Sequence, residues 1–298
     1  MFNKHRNAQF KAYNEAKTLL CAKPEILIGL EKFFAQHLLD LVRTNWVSIK
    51  ADYDEASYLY PFWQNYPPDE RGRQPKGDQY PWIEVGEHAV GERLSRILAA
   101  EFAIRDVGIP TGPDQRFLVT SPVIRKMTEG LTDSVWLFVE VKSAGPRDDA
   151  EHVVMSHNQV SGDGVWNRAA DGLKNTVVKA VGIRSKHNFY CGLPPLYVLS
   201  DMTLAPVVNI VLKPVYSMAS LTPGSSDGGQ PLDRICIICI PNGILLLINP
   251  NYLKQYPGLL FPGKDDKGKN PLKVRARVSF EFLERIDDWR VCKVEDTA

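Results

Sequence analysis

The sequence predicts one α/β domain, a mixed central β-sheet flanked by helices, with hairpin and loop embellishments. Three observations predict it. In the first third of the chain, apolar residues recur at three- and four-residue spacing, the period of a helix. From about residue 116 onward, short apolar runs bounded by Gly, Pro, Asn and Asp dominate, the mark of strands. There is no repeat, low-complexity tract or linker, and 298 residues with 44% hydrophobic content suffice for a substantial core.

Residues 4–22 are amphipathic. Pro24 suits the first turn of a second helix, whose apolar residues run from Ile26 to Trp46. The Pro-, Tyr- and Gly-rich stretch 60–82 reads as a long irregular loop, and 84–102 (EVGEHAVGERLSRILAAEF) as a further helix. Strands are expected at 116–120, 134–143, 196–200 and 207–215, with a helix near 166–182 between the second and third. The runs 234–240 and 244–249 flank Pro241-Asn242-Gly243, where Asn-Gly signals a tight hairpin. The alternating stretch 273–282 reads as the last strand. The whole of 1–298 is expected to form one domain, with a helical part to about 103, a core over about 84–215 and a hairpin and strand region over about 230–285.

A net charge of +1 gives no strong pull toward nucleic acid or membrane. The N-terminus lacks the apolar segment of a signal peptide, and the densest apolar stretch, 235–248, is broken by Pro-Asn-Gly, so no membrane span is expected. Cys236 and Cys239 have C-x-x-C spacing inside RICIICIP with no second ligand pair nearby in sequence, which reads as apolar core. This pattern fits a reducing, cytoplasmic setting.

The stretch SVWLFVEVKS (134–143) carries chemistry. A run suited to a buried strand ends in Glu140 and Lys142. Two residues apart on a strand, they share a face. A structural salt bridge explains such a pair by itself. The upstream Pro113-Asp114, separated from Glu140 by 25 residues and just ahead of the preceding strand, adds a second carboxylate that a neighbouring strand brings near. Two carboxylates can hold one or two Mg²⁺ ions, hard cations that take oxygen ligands, and the Val141 carbonyl between Glu140 and Lys142 is a further candidate ligand. Phosphodiester hydrolysis needs an activated water and neutralisation of charge at phosphorus, which such a site supplies with Lys142 beside it. Glu87, on the helix at 84–102, is a candidate third carboxylate, preferred over Glu84.

The P-D…E-V-K arrangement resembles the PD-(D/E)xK nuclease superfamily. The segments ADYDEASYLYPFWQNYPP, PKGDQYPWIEVGEHAVG, PTGPDQRFLVTSP, VEVKSAGPRD, NQVSG, PPLYVLSD, APVV and FPGKDD resemble the BglI restriction endonuclease family within it, over about residues 50–280. The resemblance implies a restriction-endonuclease-like core and a homodimeric, Mg²⁺-dependent type II enzyme. Such an enzyme cuts double-stranded DNA in an interrupted palindrome with GCC and GGC half-sites around five unread bases. It implies Asp114, Glu140 and Lys142 as the catalytic set, with Glu140 where the family pattern has aspartate. A methyltransferase protecting the host's own sites is expected, without a stable complex. A structure-selective repair or recombination nuclease of the same superfamily, and a non-catalytic DNA-binding protein, are the alternatives.

Base recognition is read from LKVRARVSFEF. Lys273, Arg275, Arg277, Ser279 and Glu281 face one way; Val274, Ala276, Val278, Phe280 and Phe282 face the other. Two arginines about 7 Å apart along a strand can address neighbouring base pairs, and arginine is the usual bidentate partner of guanine. Lys264 can also donate to guanine and Asp266 can accept from the cytosine amino group. These four positions match the BglI-like pattern with the same spacing. Asp148, after the catalytic strand, is a further candidate DNA contact. A solvated basic edge strand is the plainer explanation of the stretch.

Overall fold

The computed structural model describes residues 2–58, 85–106, 108, 112–145, 149–156, 159–161, 177–178, 189–190, 193–217, 231–262 and 275–296. The expected loop at 60–82, most of the expected helix at 166–182, and Glu84, Asp148, Lys264, Asp266 and Lys273 lie outside them.

Three helices open the chain: α1 (Phe2–Ala22), α2 (Pro24–Thr44) and α3 (Trp46–Tyr58). In α2, Pro24 occupies the first turn with Glu25, Arg43 lies in the last, and Ile26, Leu27, Leu30, Phe34 and Leu38 form a buried stripe. Charges so placed oppose the helix dipole at both ends. A π-helical turn, Glu87–Glu92, leads into α4 (Arg93–Glu101).

The strands follow as β1 (Ala103–Asp106), β2 (Gln115–Thr120), β3 (Ser134–Val141), β4 (His152–Met155), β5 (Val177–Val178), β6 (Phe189–Tyr190), β7 (Leu196–Val198), β8 (Leu204–Tyr216) and β9 (Leu232–Ile240). The short helix α5 (Pro122–Met127) joins β2 to β3 and is capped by the Ser121 hydroxyl. After β9 come α6 (Gly243–Leu247), α7 (Tyr252–Gln255), β10 (Leu260–Pro262), β11 (Ala276–Ser279), α8 (Phe280–Ile286), a 3₁₀ turn at Asp288–Arg290, and β12 (Val291–Glu295).

The main sheet has the order β1-β2-β3-β8-β9-β12, with β7 also paired to β8. Among the described strands of this sheet only the central β3–β8 pair is parallel; the other pairs are antiparallel. A second, antiparallel sheet has the order β10-β11-β4. All eight residues of β3 are buried. Val135, Leu137, Val139 and Val141 join the large core shared with α2 and α4, whereas Trp136 and Phe138 face a smaller cluster with Leu118, Leu193, Ala205 and Val207. Cys236 and Cys239 are buried in the core as expected.

The structure corrects three expectations. Pro241-Asn242-Gly243 does not make a hairpin: residues 243–247 are helix α6, and Asn242 is its N-cap. The Asn242 side-chain oxygen accepts from Ile244 N–H at 2.9 Å, while its amide donates to the Pro195 and Val207 carbonyls at 2.7 and 2.8 Å. An asparagine that finds three buried partners prefers the cap to a turn. The final strand, expected over 273–282, is limited among the described residues to Ala276–Ser279. Phe280 opens α8, with Phe280 and Leu283 buried at helical spacing. Inside the range expected to be helical near 166–182, Val177–Val178 is strand, paired with Phe189–Tyr190.

Candidate active site

The antiparallel register of β2 against β3 sets Gln115 opposite Val139. Asp114 lies one step outside the ladder, level with the end of β3. There its carboxylate replaces a backbone acceptor: Val141 N–H donates to Asp114 Oδ2 at 2.8 Å. In return Asp114 N–H donates to Glu140 Oε2 at 3.1 Å. The two acids predicted from sequence are thus locked together by reciprocal bonds, with Asp114 exposed and Glu140 buried.

Glu140 and Lys142 share the face of β3 that Trp136 and Phe138 occupy. The Lys142 ammonium donates to Glu140 Oε1, and about a third of the Lys142 side chain remains exposed. Oε1 also accepts from the Gln159 amide, whose own carbonyl oxygen accepts from Ser156 N–H at 2.8 Å. Burial raises the Glu140 carboxyl to about 7, and the nearby Asp114 charge pushes the same way. Lys142 and the Asp114 N–H hold the shift back. Sequence reasoning missed Gln159, because a neutral amide carries no pattern that separates it from any surface glutamine.

Glu87 lies at the start of the π-helical turn. A Cβ added at Gly91 would meet Val141 Cγ2 at 2.9 Å, and one at Gly86 would strike Ser143 Oγ. Small residues therefore let this helix lie close against the Val141 side of β3, the face opposite Glu140. Among the described residues, no three His, Cys, Asp or Glu side chains form a group that could hold a metal, so Glu87 is not gathered with Asp114 and Glu140. The pair itself offers only carboxylate oxygens, with no imidazole or thiolate. That donor set suits a hard cation such as Mg²⁺, which often uses one or two carboxylates and keeps several waters.

The predicted reading strand lies in the second sheet. Arg275 is exposed, Ala276 buried, Arg277 half-buried and Val278 buried, the alternation expected from sequence, but Ser279, expected on the polar face, is buried where the strand gives way to α8. Arg277 Nη1 donates to Asp149 Oδ2. Asp149 Oδ1 pairs with His152 Nδ1 at 2.8 Å and accepts from Glu151 N–H at 3.2 Å. Burial alone would raise the Asp149 carboxyl. The His152 hydrogen bond and the charges of His152 and Arg277 more than offset it and hold the carboxyl below its ordinary range. Asp149 was not singled out in the sequence; its neighbour Asp148 was. A doubled Asp-Asp carries no pattern that marks out Asp149.

The family model for "Restriction endonuclease BglI" matches residues 8–294. The type II restriction enzyme BglI of Bacillus subtilis is 47% identical over 290 residues, covering 96% of each chain. The crystal structure of restriction endonuclease BglI bound to its DNA recognition sequence superimposes with a TM-score of 0.87 at 46% identity, covering 99% of both chains. Tetrameric restriction endonuclease SfiI bound to cognate DNA shares the fold, with a TM-score of 0.60 at 15% identity over 91% of this chain and 85% of that one.

Proposed function

Since the chain belongs to the BglI restriction endonuclease family, and so is a type II site-specific deoxyribonuclease, we propose that it hydrolyses both strands of GCC-N5-GGC in double-stranded DNA, as a Mg²⁺-dependent homodimer in the cytoplasm. The observation that carries the reading is the reciprocal bonding of Asp114 and Glu140 at the end of β3, with Lys142 beside them. An acid pair held this tightly at the edge of a buried cluster is a prepared site.

Asp114, Glu140 and the Val141 carbonyl would hold the metal. When bound, Mg²⁺ lowers the pKa of water and balances charge at phosphorus. The remaining work falls to the chain. Asp114 N–H and the Gln159 amide fix the two oxygens of Glu140, so the carboxylate keeps one orientation. Lys142, a third exposed, sets a positive charge where the scissile phosphate enters, and stabilises the negative charge that grows as water oxygen bonds to phosphorus and the P–O ester bond breaks. Lys264, Asp266, Arg275 and Arg277 would read the G·C pairs of one half-site, and Asp148 would lie beside the same duplex. A two-fold dimer then sets one site on each scissile phosphate.

The test is a plasmid with one GCC-N5-GGC site, incubated with Mg²⁺ or with EDTA, beside Glu140→Ala. A single Mg²⁺-dependent cut at that site, lost in the variant, is the expected result. Cutting at another sequence keeps the nuclease and discards the site.

A further inference from the structure

Lys213 is a buried ammonium, 3% exposed, on the central strand β8. A buried ammonium is expensive unless its donors are used, and an apolar residue of the same size would fit a strand core at less cost. Its Nζ donates to the Asp149 carbonyl and, at 2.6 Å, to the His152 carbonyl, and lies 5.2 Å from the centre of the Phe280 ring. The two carbonyls bracket the turn that carries the Asp149 carboxylate, and that carboxylate holds Arg277.

The other side of Lys213 leads to the catalytic strand. Its chain neighbours Leu212 and Pro214 accept from Lys142 N–H and Ala144 N–H, each at 2.9 Å. A continuous path of direct bonds therefore runs from the Arg277 guanidinium to Asp149, to Lys213, and through one residue of backbone to Lys142. Arg277 sits on β11, the middle strand of the second sheet, with backbone partners at Val154 and Phe261. The strand fixes the Arg277 Cα, and the carboxylate fixes the far end of the side chain. The Arg277 Nε–H has no hydrogen-bond partner among the described residues.

We propose that Asp149 is the positioning residue for Arg277, and that Lys213 is a strut tying this base-reading pair to the catalytic strand. The inference rests on the base-reading role proposed above for Arg277. Asp149 aims the guanidinium before DNA arrives, so less side-chain freedom is lost on reading the base. Lys213 holds the turn bearing Asp149 in a fixed relation to Lys142.

The test compares single-turnover cleavage of duplexes carrying the cognate half-site or one substituted base pair at each position. The proteins are the wild type, Arg277→Ala, Asp149→Asn, the double variant and Lys213→Met. Arg277→Ala is expected to lose discrimination at one G·C pair by about tenfold or more. Asp149→Asn keeps the shape and loses the charge, and is expected to flatten the same position alone, with the double variant no worse than Arg277→Ala. Folded Lys213→Met is expected to show the same single-position loss. Its measured thermal midpoint separates that loss from a failure to fold, and Asp149→Asn decides the positioning role independently. A lower thermal midpoint with wild-type ratios at every position would make Asp149 a structural cap and overturn the inference while the base-reading role stands. Wild-type ratios in Arg277→Ala would remove that role as well. Wild-type ratios in folded Lys213→Met would remove the strut.

Discussion

Lys142 and Glu140 differ in setting at the candidate site: one is a partly exposed charge, the other a buried carboxylate that accepts from the Asp114 N–H, Lys142 and Gln159. Lys142→Ala is expected to lower single-turnover cleavage by about 10²–10³-fold while binding of the duplex persists, read by quench-flow beside a gel-shift titration. A proportional fall in binding instead would show that Lys142 acts as a phosphate anchor. Asp149 gives a pH signature. It is faced by His152, Arg277 and the Glu151 N–H, and by Lys213 through its own carbonyl. A carboxyl held below its ordinary value contributes stability that is present above the unfolded value near 4 and is lost as pH falls through the folded one. The thermal midpoint gap between wild type and Asp149→Asn should therefore shrink as pH falls below about 4. A gap that widens on acidification contradicts the assignment.

At the scale of elements, the junction of α2, β9 and the 3₁₀ turn rests on a buried ion pair. Arg290 Nη2 donates to Glu31 Oε2 at 2.8 Å, both side chains being essentially inaccessible, and Asn242 N–H takes the other Glu31 oxygen. Burial pushes the Glu31 carboxyl up and the neighbouring Arg290 offsets part of the rise. Arg290→Met strands a buried carboxylate and is expected to cost about 3–5 kcal/mol in urea unfolding. Glu31→Leu with Arg290→Met should recover most of that loss, and a double variant as unstable as the single would show that packing of the guanidinium matters more than its charge. Asn242→Ala, which leaves two carbonyls and the α6 terminus unsatisfied, is expected to cost about 1–3 kcal/mol. These elements also show where sequence reasoning stops. Glu140 and Lys142 were legible because a short continuous apolar run ending in two charges reads as a buried strand, whose period of two sets both charges on one face. Asn242-Gly243 was not, because the same dipeptide serves a hairpin and a helix cap, and the choice is made by Pro195 and Val207, remote in sequence. The end of β11 was hidden for a related reason: Phe280, Phe282 and Leu283 satisfy period two and period three at once. Gln159 and Asp149 gain their roles only from partners that the fold supplies.

The whole molecule places Asp114, Glu140 and Lys142 on one sheet and the strand proposed to read bases on another, both packed on the large core. If a two-fold dimer matches two half-sites, light scattering should give a particle of twice the 33.5 kDa chain, and a monomer that nicks one strand would refute the symmetric reading. Among the described residues no helix is long and apolar enough to cross a membrane. The Arg290–Glu31 bond carries a temporal consequence. It joins residues 259 apart, so the helix made early in synthesis keeps a carboxylate without its buried partner until the ribosome has passed Arg290. Long-range closure of this kind is slow and comes after local structure. A nascent chain halted before that residue lacks the bond that ties α2 to the C-terminal turn. Ribosome-bound chains stalled at residue 286 should therefore be digested by protease where the finished protein resists.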